Sequence, residues 1–202
     1  MPQALMQGAA LILSPATLYY APLNTALPAK TLAYGSPWGG SWARVGLTGT
    51  PLRFAYTYDV VAAKVQEALA DVNRAKTNEA AVLETTLAEI NLSLFPLGLE
   101  GTFSLTPQST GVPESENWSV GGSNKLTKRM WGFEGQWNAD DGSTFPVRFF
   151  VYRATAQAGG ELMFDRENFV AGTVLQLGAL ADMSRAVNDQ LVSGYRVTTI
   201  AG

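Results

Sequence analysis

The carboxylate pairs are the first places in the sequence where chemistry could reside. Asp140-Asp141, Glu114 with Glu116, and Asp165 with Glu167 are the residue types that two-carboxylate glycoside hydrolysis or Ca²⁺ ligation would use. The first pair sits in "NADDGS", where turn formation alone explains an Asp. The chain contains neither His nor Cys. That excludes a Ser-His-Asp triad, a His-ligated zinc, imidazole acid-base catalysis, thiolate metal sites and disulfides. No Walker A or G-x-G-x-x-G spacing occurs. An enzyme limited to carboxylates finds no supporting spacing, so the expectation is a protein with no catalytic, cofactor-binding or metal-binding residues.

Charge argues along the same line. With 14 Lys+Arg against 17 Asp+Glu, the net charge is −3, and there is no basic stripe of the kind that displaces counterions from phosphates. The densest basic run, "KLTKR" (125–129), reads as the polar start of a strand. Sequence-specific nucleic-acid binding is not expected. The first charged residue is Lys30, but "MPQALMQGAALILSPATLYYAP" has no basic start, and Gly8, Pro15 and Pro22 interrupt its apolar runs. Neither a signal peptide nor a membrane span is expected, and a cytoplasmic origin follows.

Most of the chain that would position any site reads as β-structure. "TLYYA" (17–21), "SWARVGL" (41–47) and "LRFAYTYDVV" (52–61) are β-prone runs separated by Pro and Gly. In the last of these, Phe54, Tyr56 and Tyr58 share a face. Residues 101–128, rich in Thr, Ser, Gly, Pro and Asn, form the most loop-like part, and a loop of that length is usually functional or disordered. The clearest hairpin follows. "KRMWGFEGQW" places Trp131, Phe133 and Trp137 on one face, and "FPVRFFVYRATA" returns with Phe145, Val147, Phe149 and Val151 on one face. "ELMFDRENFVAGTVLQLGALA" adds one or two strands, and "YRVTTIAG" another.

The stretch "VQEALADVNRAKTNEAAVLETTLAEI" (65–90) is ambiguous. Val61, Val65, Leu69 and Val72 fit an apolar helical stripe in good helix formers. Val61, Ala63, Val65 and Leu69 also fit a period of two. Thr86 and Glu89 have the spacing of a capping box, which predicts one α-helix over about residues 87–96, ended by Pro96, Gly98 and Gly101.

The order of motifs resembles the major tail tube proteins of long-tailed bacteriophages. It runs "GAALILSPATLYYAPLNTALPAK", then "WARVGLT" with Trp42, Val45, Gly46 and Thr48, then a segment with Thr77, Glu79, Ala80, Val82, Thr86, Leu87 and Glu89. "GALADMSRAVNDQL" is similar to the family's ending, with Ala179, Leu180, Asp182 and Ser184 in place. The resemblance spans most of the chain and rests on order and spacing; residues 105–127 match nothing in the family. It implies a mainly β fold: an antiparallel β-sandwich or partly closed barrel with one flanking α-helix, a long loop and extended arms. Residues 60–85 would then be mainly strands. One domain would span 1–202, with an N-terminal strand or arm (1–30), the loop (105–127) and a C-terminal strand or arm (190–202).

The resemblance also implies structural work. Six subunits would close a homo-hexameric ring, and rings would stack into a tube in the virion tail, assembled in the bacterial cytoplasm. Its lumen would hold the tape measure protein and then transiting DNA, with tail terminator and tail-tip proteins at the ends. Lys64, Glu67, Asp71 and Arg74 are lumen-facing candidates, or else ordinary surface strand residues. Trp38, Trp42, Trp118, Tyr19 and Tyr20 are candidates for inter-subunit packing. Trp38 and Trp118 could instead stack on sugars, which keeps open a monomeric β-sandwich binding module, possibly carbohydrate-binding.

Overall fold

The computed structural model describes residues 16–63, 73–88, 91–123, 125–138, 142–157, 162–163 and 172–198. Their strands are β1 (Thr17–Ala21), β2 (Ala43–Arg44), β3 (Arg53–Ala63), β4 (Asn73–Leu87), β5 (Thr102–Thr106), β6 (Ser115–Ser119), β7 (Arg129–Asn138), β8 (Thr144–Ala156), β9 (Leu162–Met163), β10 (Gly172–Ala179) and β11 (Val192–Arg196), with one short helix, α1 (Phe95–Gly98). The main sheet runs β2-β1-β7-β8-β10-β4-β3 and does not close on itself; β5 and β6 form a separate pair. Every pairing is antiparallel. The fold is therefore mainly β and sandwich-like.

The β7–β8 hairpin has the register its alternating pattern predicts: Trp131↔Val151, Phe133↔Phe149 and Trp137↔Phe145. The far edge of β8 is shared, with β11 along Val147–Val151 and β10 along Ala154–Ala156. This fork brings β10 and β4 over one face of β1, β7 and β8. There Leu18, Trp131 and Val151 meet Leu83, Leu87, Leu175 and Leu177 in one core cluster. Each such leucine, nearly fully buried, contributes roughly 1.5–3 kcal/mol.

The opposite face of β1, β7 and β8 is covered by the segment 22–42. Trp38 stacks on Tyr19 at 4.1 Å and meets Trp42 edge-on at 5.1 Å and Phe150 at 5.4 Å. Gly132 makes this possible, because a Cβ there would collide with the Trp38 ring. With both faces covered, β8 is buried along most of its length, including Arg148. Its guanidinium pairs with Glu134 at 2.7 Å, and both side chains are fully buried. Arg148 also donates to the carbonyls of Ala29 (3.3 Å), Leu32 (2.7 Å) and Ala33 (3.3 Å) and to the Tyr195 hydroxyl (3.1 Å). Glu134 accepts from the Gly35 N–H at 3.0 Å. The pair therefore satisfies the backbone of the covering segment.

Several expectations need correction. Thr86 lies in β4, paired with Val174. Its N–H donates to Thr50 Oγ1 at 2.8 Å and its carbonyl accepts from Gly49 at 2.7 Å, so it caps no helix. Glu89 is outside the described residues. The chain turns helical only at a 3₁₀ turn, Leu92–Leu94, where the Asn91 side chain accepts from the Ser93 N–H, and continues through α1. Pro96 opens that helix rather than ending it, since a first-turn N–H needs no intrahelical partner. The expected loop contains the β5–β6 hairpin, paired from Thr102↔Ser119 to Thr106↔Ser115. Within the terminal segments, β1 lies between β2 and β7, and β11 on β8; residues 1–15 and 199–202 lie outside the described residues.

Gly132→Ala is expected to destabilise the protein by about 1–3 kcal/mol through overpacking against Trp38, read as a lower urea midpoint with an unchanged slope. Arg148→Met, which strands the Glu134 carboxylate, should cost more, about 3–5 kcal/mol in the same measurement.

Candidate functional site: an exposed ribbon and its groove

β3 and β4 pair from Arg53↔Glu84 to Ala63↔Asn73, whereas β10 covers β4 only from Val82 to Leu87. The outer part, residues 73–81 with their β3 partners, is therefore a two-stranded ribbon roughly 25 Å long. Its inner end is anchored by strict alternation: Ala81, Leu83, Thr85 and Leu87 are buried, and the residues between them less so. That period of two, with backbone pairing on both edges, overrides the helix propensity of the same residues. A bulge sits at Asn78, which has φ 50°, where the register shifts between Thr57 and Asp59. The Asn78 amide donates to Asp59 at 3.0 Å. Asn tolerates this left-handed conformation, and the bulge adds twist.

The ribbon exposes side chains that a monomer would ordinarily bury. Tyr58 is 51% exposed, Val60 53% and Val61 58%. Lys76 Nζ lies 4.8 Å from the Tyr56 ring and 4.9 Å from the Tyr58 ring, and pairs with Glu79 at 2.7 Å. The Glu79 hydrogen bond raises the Lys76 pKa, and the Lys76 hydrogen bond lowers that of Glu79; both remain charged at neutral pH.

Beside the ribbon runs a groove of ≈ 810 Å³. It is lined by Phe54, Tyr56, Lys76 and Glu79 of the ribbon, by Phe149 and Val192, and by Leu180 and Val187 of the loop that follows β10. Among the described residues Val187 and Met183 are the most exposed large apolar residues, at 84% and 76%. Apolar exposure of this kind marks an interaction surface.

The 180–191 loop that lines part of the groove is held by charge. Asp182 accepts from the Ser184 hydroxyl at 2.8 Å and N–H at 3.3 Å, and lies 3.5 Å from Arg153 and 3.6 Å from Arg185. Arg185 reaches Asp189 at 3.1 Å and stacks 3.3 Å from the Tyr152 ring. The Tyr152 hydroxyl donates to Asp189 at 2.9 Å and touches Ser193. The Ser184 hydrogen bonds, then Arg153 and Arg185, hold the Asp182 carboxyl below its ordinary pKa.

The predicted site residues fall in different places. Lys64, Glu67 and Asp71 lie outside the described residues, as do Asp140, Asp141, Asp165 and Glu167. Arg74 is exposed near the outer end of the ribbon, paired with Ala62. Tyr19 and Trp38 are each only 6% exposed, which corrects their expected inter-subunit role: their rings are spent on packing within the chain. Trp42 donates to the Ala26 carbonyl at 2.8 Å, and Tyr20 lies 6.0 Å from Trp131. Trp118 meets Phe95 edge-on at 5.3 Å and donates to the Glu100 carbonyl at 2.9 Å. These three are half-buried and also packed internally. The Glu134–Arg148 pair went unpredicted, although each is a lone charge in an apolar strand, "WGFEGQW" and "PVRFFV". The exposure of the ribbon had one signal, the adjacent Val60-Val61, which puts apolar groups on both faces.

Among the described residues no group of three or more Asp or Glu is placed to hold a metal ion, and no helix is long and apolar enough to cross a membrane. No protein-family model matches the sequence, and no curated protein matches it.

Asp182's depressed pKa stabilises the folded loop at neutral pH, and that contribution is lost as pH falls through the folded value. Amide exchange across residues 180–191, corrected for intrinsic rates, should be slow at pH 6–7 and speed up only in acid below the ordinary Asp range. Asp182→Asn should remove the pH dependence attributable to this carboxylate.

Proposed function

We propose that this chain is a structural subunit that self-assembles, forming homo-hexameric rings that stack into the hollow tail tube of a long-tailed bacteriophage. The observation that carries this reading is the β3–β4 ribbon, which runs on past the end of its pairing with β10 and has Tyr58, Val60 and Val61 exposed, beside a groove lined by both apolar and charged side chains. A sheet edge with such side chains invites pairing with another chain and is a liability in a monomer. In a ring or tube the same surface becomes a joint. Contacts between unlike patches close or propagate according to the rotation between copies. The motif order shared with tail tube proteins supplies the specific assembly.

The charge balance supports the same reading. A conduit must let DNA slide, and each phosphate-neutralising cation would add a salt-dependent hold; a chain of net charge −3 suits that task. On this reading the subunit works in the virion tail without catalysis. Its lumen partners are the tape measure protein and transiting DNA, and terminator and tail-tip proteins close the ends.

Negative-stain electron microscopy of the concentrated protein, with size-exclusion chromatography, should show six-fold rings or hollow tubes. Tyr58→Lys with Val61→Lys, both on exposed positions, should leave the melting temperature within a few degrees and abolish those assemblies. A protein that stays monomeric and binds glycans on an array would overturn the tube in favour of a binding module.

A further inference from the structure

The β5–β6 hairpin is a preformed finger. Its strands pair over five residues each, and beyond them Ser109 and Val112 exchange two backbone hydrogen bonds of 2.9 and 3.0 Å, which braces the turn at Gly111. Its base is pinned by Trp118 against Phe95 and by the Glu100 carboxylate, which accepts from the Thr127 hydroxyl at 2.7 Å. The outer end carries Leu105, 52% exposed, and Val112, 46% exposed. The exposed Glu114 and Glu116 lie beside them, and neither meets a cation among the described residues. The finger is thus apolar and acidic at once.

On the segment 22–42 side, a cleft of ≈ 490 Å³ has the opposite character. Tyr34, Phe145 and Tyr195 supply its aromatic lining, and Lys30 and Arg196 its charge. Lys30 Nζ lies 5.7 Å from the Tyr195 ring, and the Arg196 guanidinium 4.5 Å from that of Trp137. Neither cation meets a carboxylate among the described residues. Aromatic faces hold the cations in place and leave their donors free for an incoming acid.

We propose that the finger of one copy seats in this cleft on a second copy. Glu114 and Glu116 pair with Lys30 and Arg196, while Leu105 and Val112 cover the aromatic lining. Finger and cleft are different surfaces, so the contact is heterologous and can run around a ring. The bracing of the finger keeps the ordering cost of docking low. The inference rests on the reading that the chain self-assembles, and it names the partner surfaces.

Carbodiimide cross-linking of a mixture of ¹⁵N-labelled and unlabelled full-length protein tests it, with mass spectrometry of the digest. The expected product joins Lys30 to Glu114 or Glu116 in mixed-isotope peptides, which only contact between copies can form. Lys30→Glu/Arg196→Glu and Glu114→Lys/Glu116→Lys should each weaken association more than about tenfold, and a chain carrying all four changes should recover it. Their melting temperatures report whether each variant folds. Rings or tubes without the mixed-isotope link overturn the finger contact and leave the tube reading standing. The link in dimers that never form rings supports the contact and removes the tube reading. A monomer with no link overturns both.

Discussion

The buried Glu134–Arg148 pair is the interaction on which the rest of the architecture depends. A segment with little regular structure, residues 22–42, lies against one face of β1, β7 and β8, and its carbonyls and N–H groups must find partners there. Arg148 takes three of those carbonyls and Glu134 one N–H, so a loop can serve as a layer of the fold. Two charges out of water are costly alone and tolerable when every donor is used. The arrangement fixes where the segment lies, and so where Trp38 stacks and where Lys30 and Tyr34 line the cleft.

With that layer in place, the three central strands are buried on both faces, and the apolar load of the molecule is concentrated around β8. The flanking strands are left with a different task. β4 uses its inner half to close the core beside β10 and continues its outer half, paired with β3, past the end of that pairing. The contrast along one strand is sharp: Leu87 is 1% exposed, while residues 73–76 are exposed throughout. One continuous strand thus joins the core to the ribbon on which Tyr58, Val60 and Val61 are exposed. A load on the ribbon would be passed to the sheet by backbone hydrogen bonds rather than through a flexible linker.

The proposed assembly draws on features that have little in common otherwise: the ribbon, the groove lined by the exposed Val187, the braced acidic finger and the cationic aromatic cleft. Each is costly or idle in an isolated domain. Among the described residues Glu114, Glu116, Lys30 and Arg196 form no salt bridge, which leaves those charges available to a second copy in the proposed assembly.

Composition by itself removed His- and Cys-based chemistry, because a side chain that is not encoded cannot act. Alternation and turn residues by themselves specified the β7–β8 hairpin and its facing aromatics, since both signals are local. Residues 73–87 were different. Their helical and extended readings both fit the local pattern, and the choice fell to β3 along residues 73–84 and β10 along 82–87, which offer backbone partners that no local signal announces. The same pairing carried Thr86 and Leu87 into the sheet and delayed the α-helix to Phe95. Whether Trp38 and Tyr19 face a neighbour or the core also lay beyond the sequence. That depended on Gly132, nearly a hundred residues away, leaving a flat place on the sheet where an indole could rest. Local preferences are written residue by residue, but burial is decided by which distant surfaces meet.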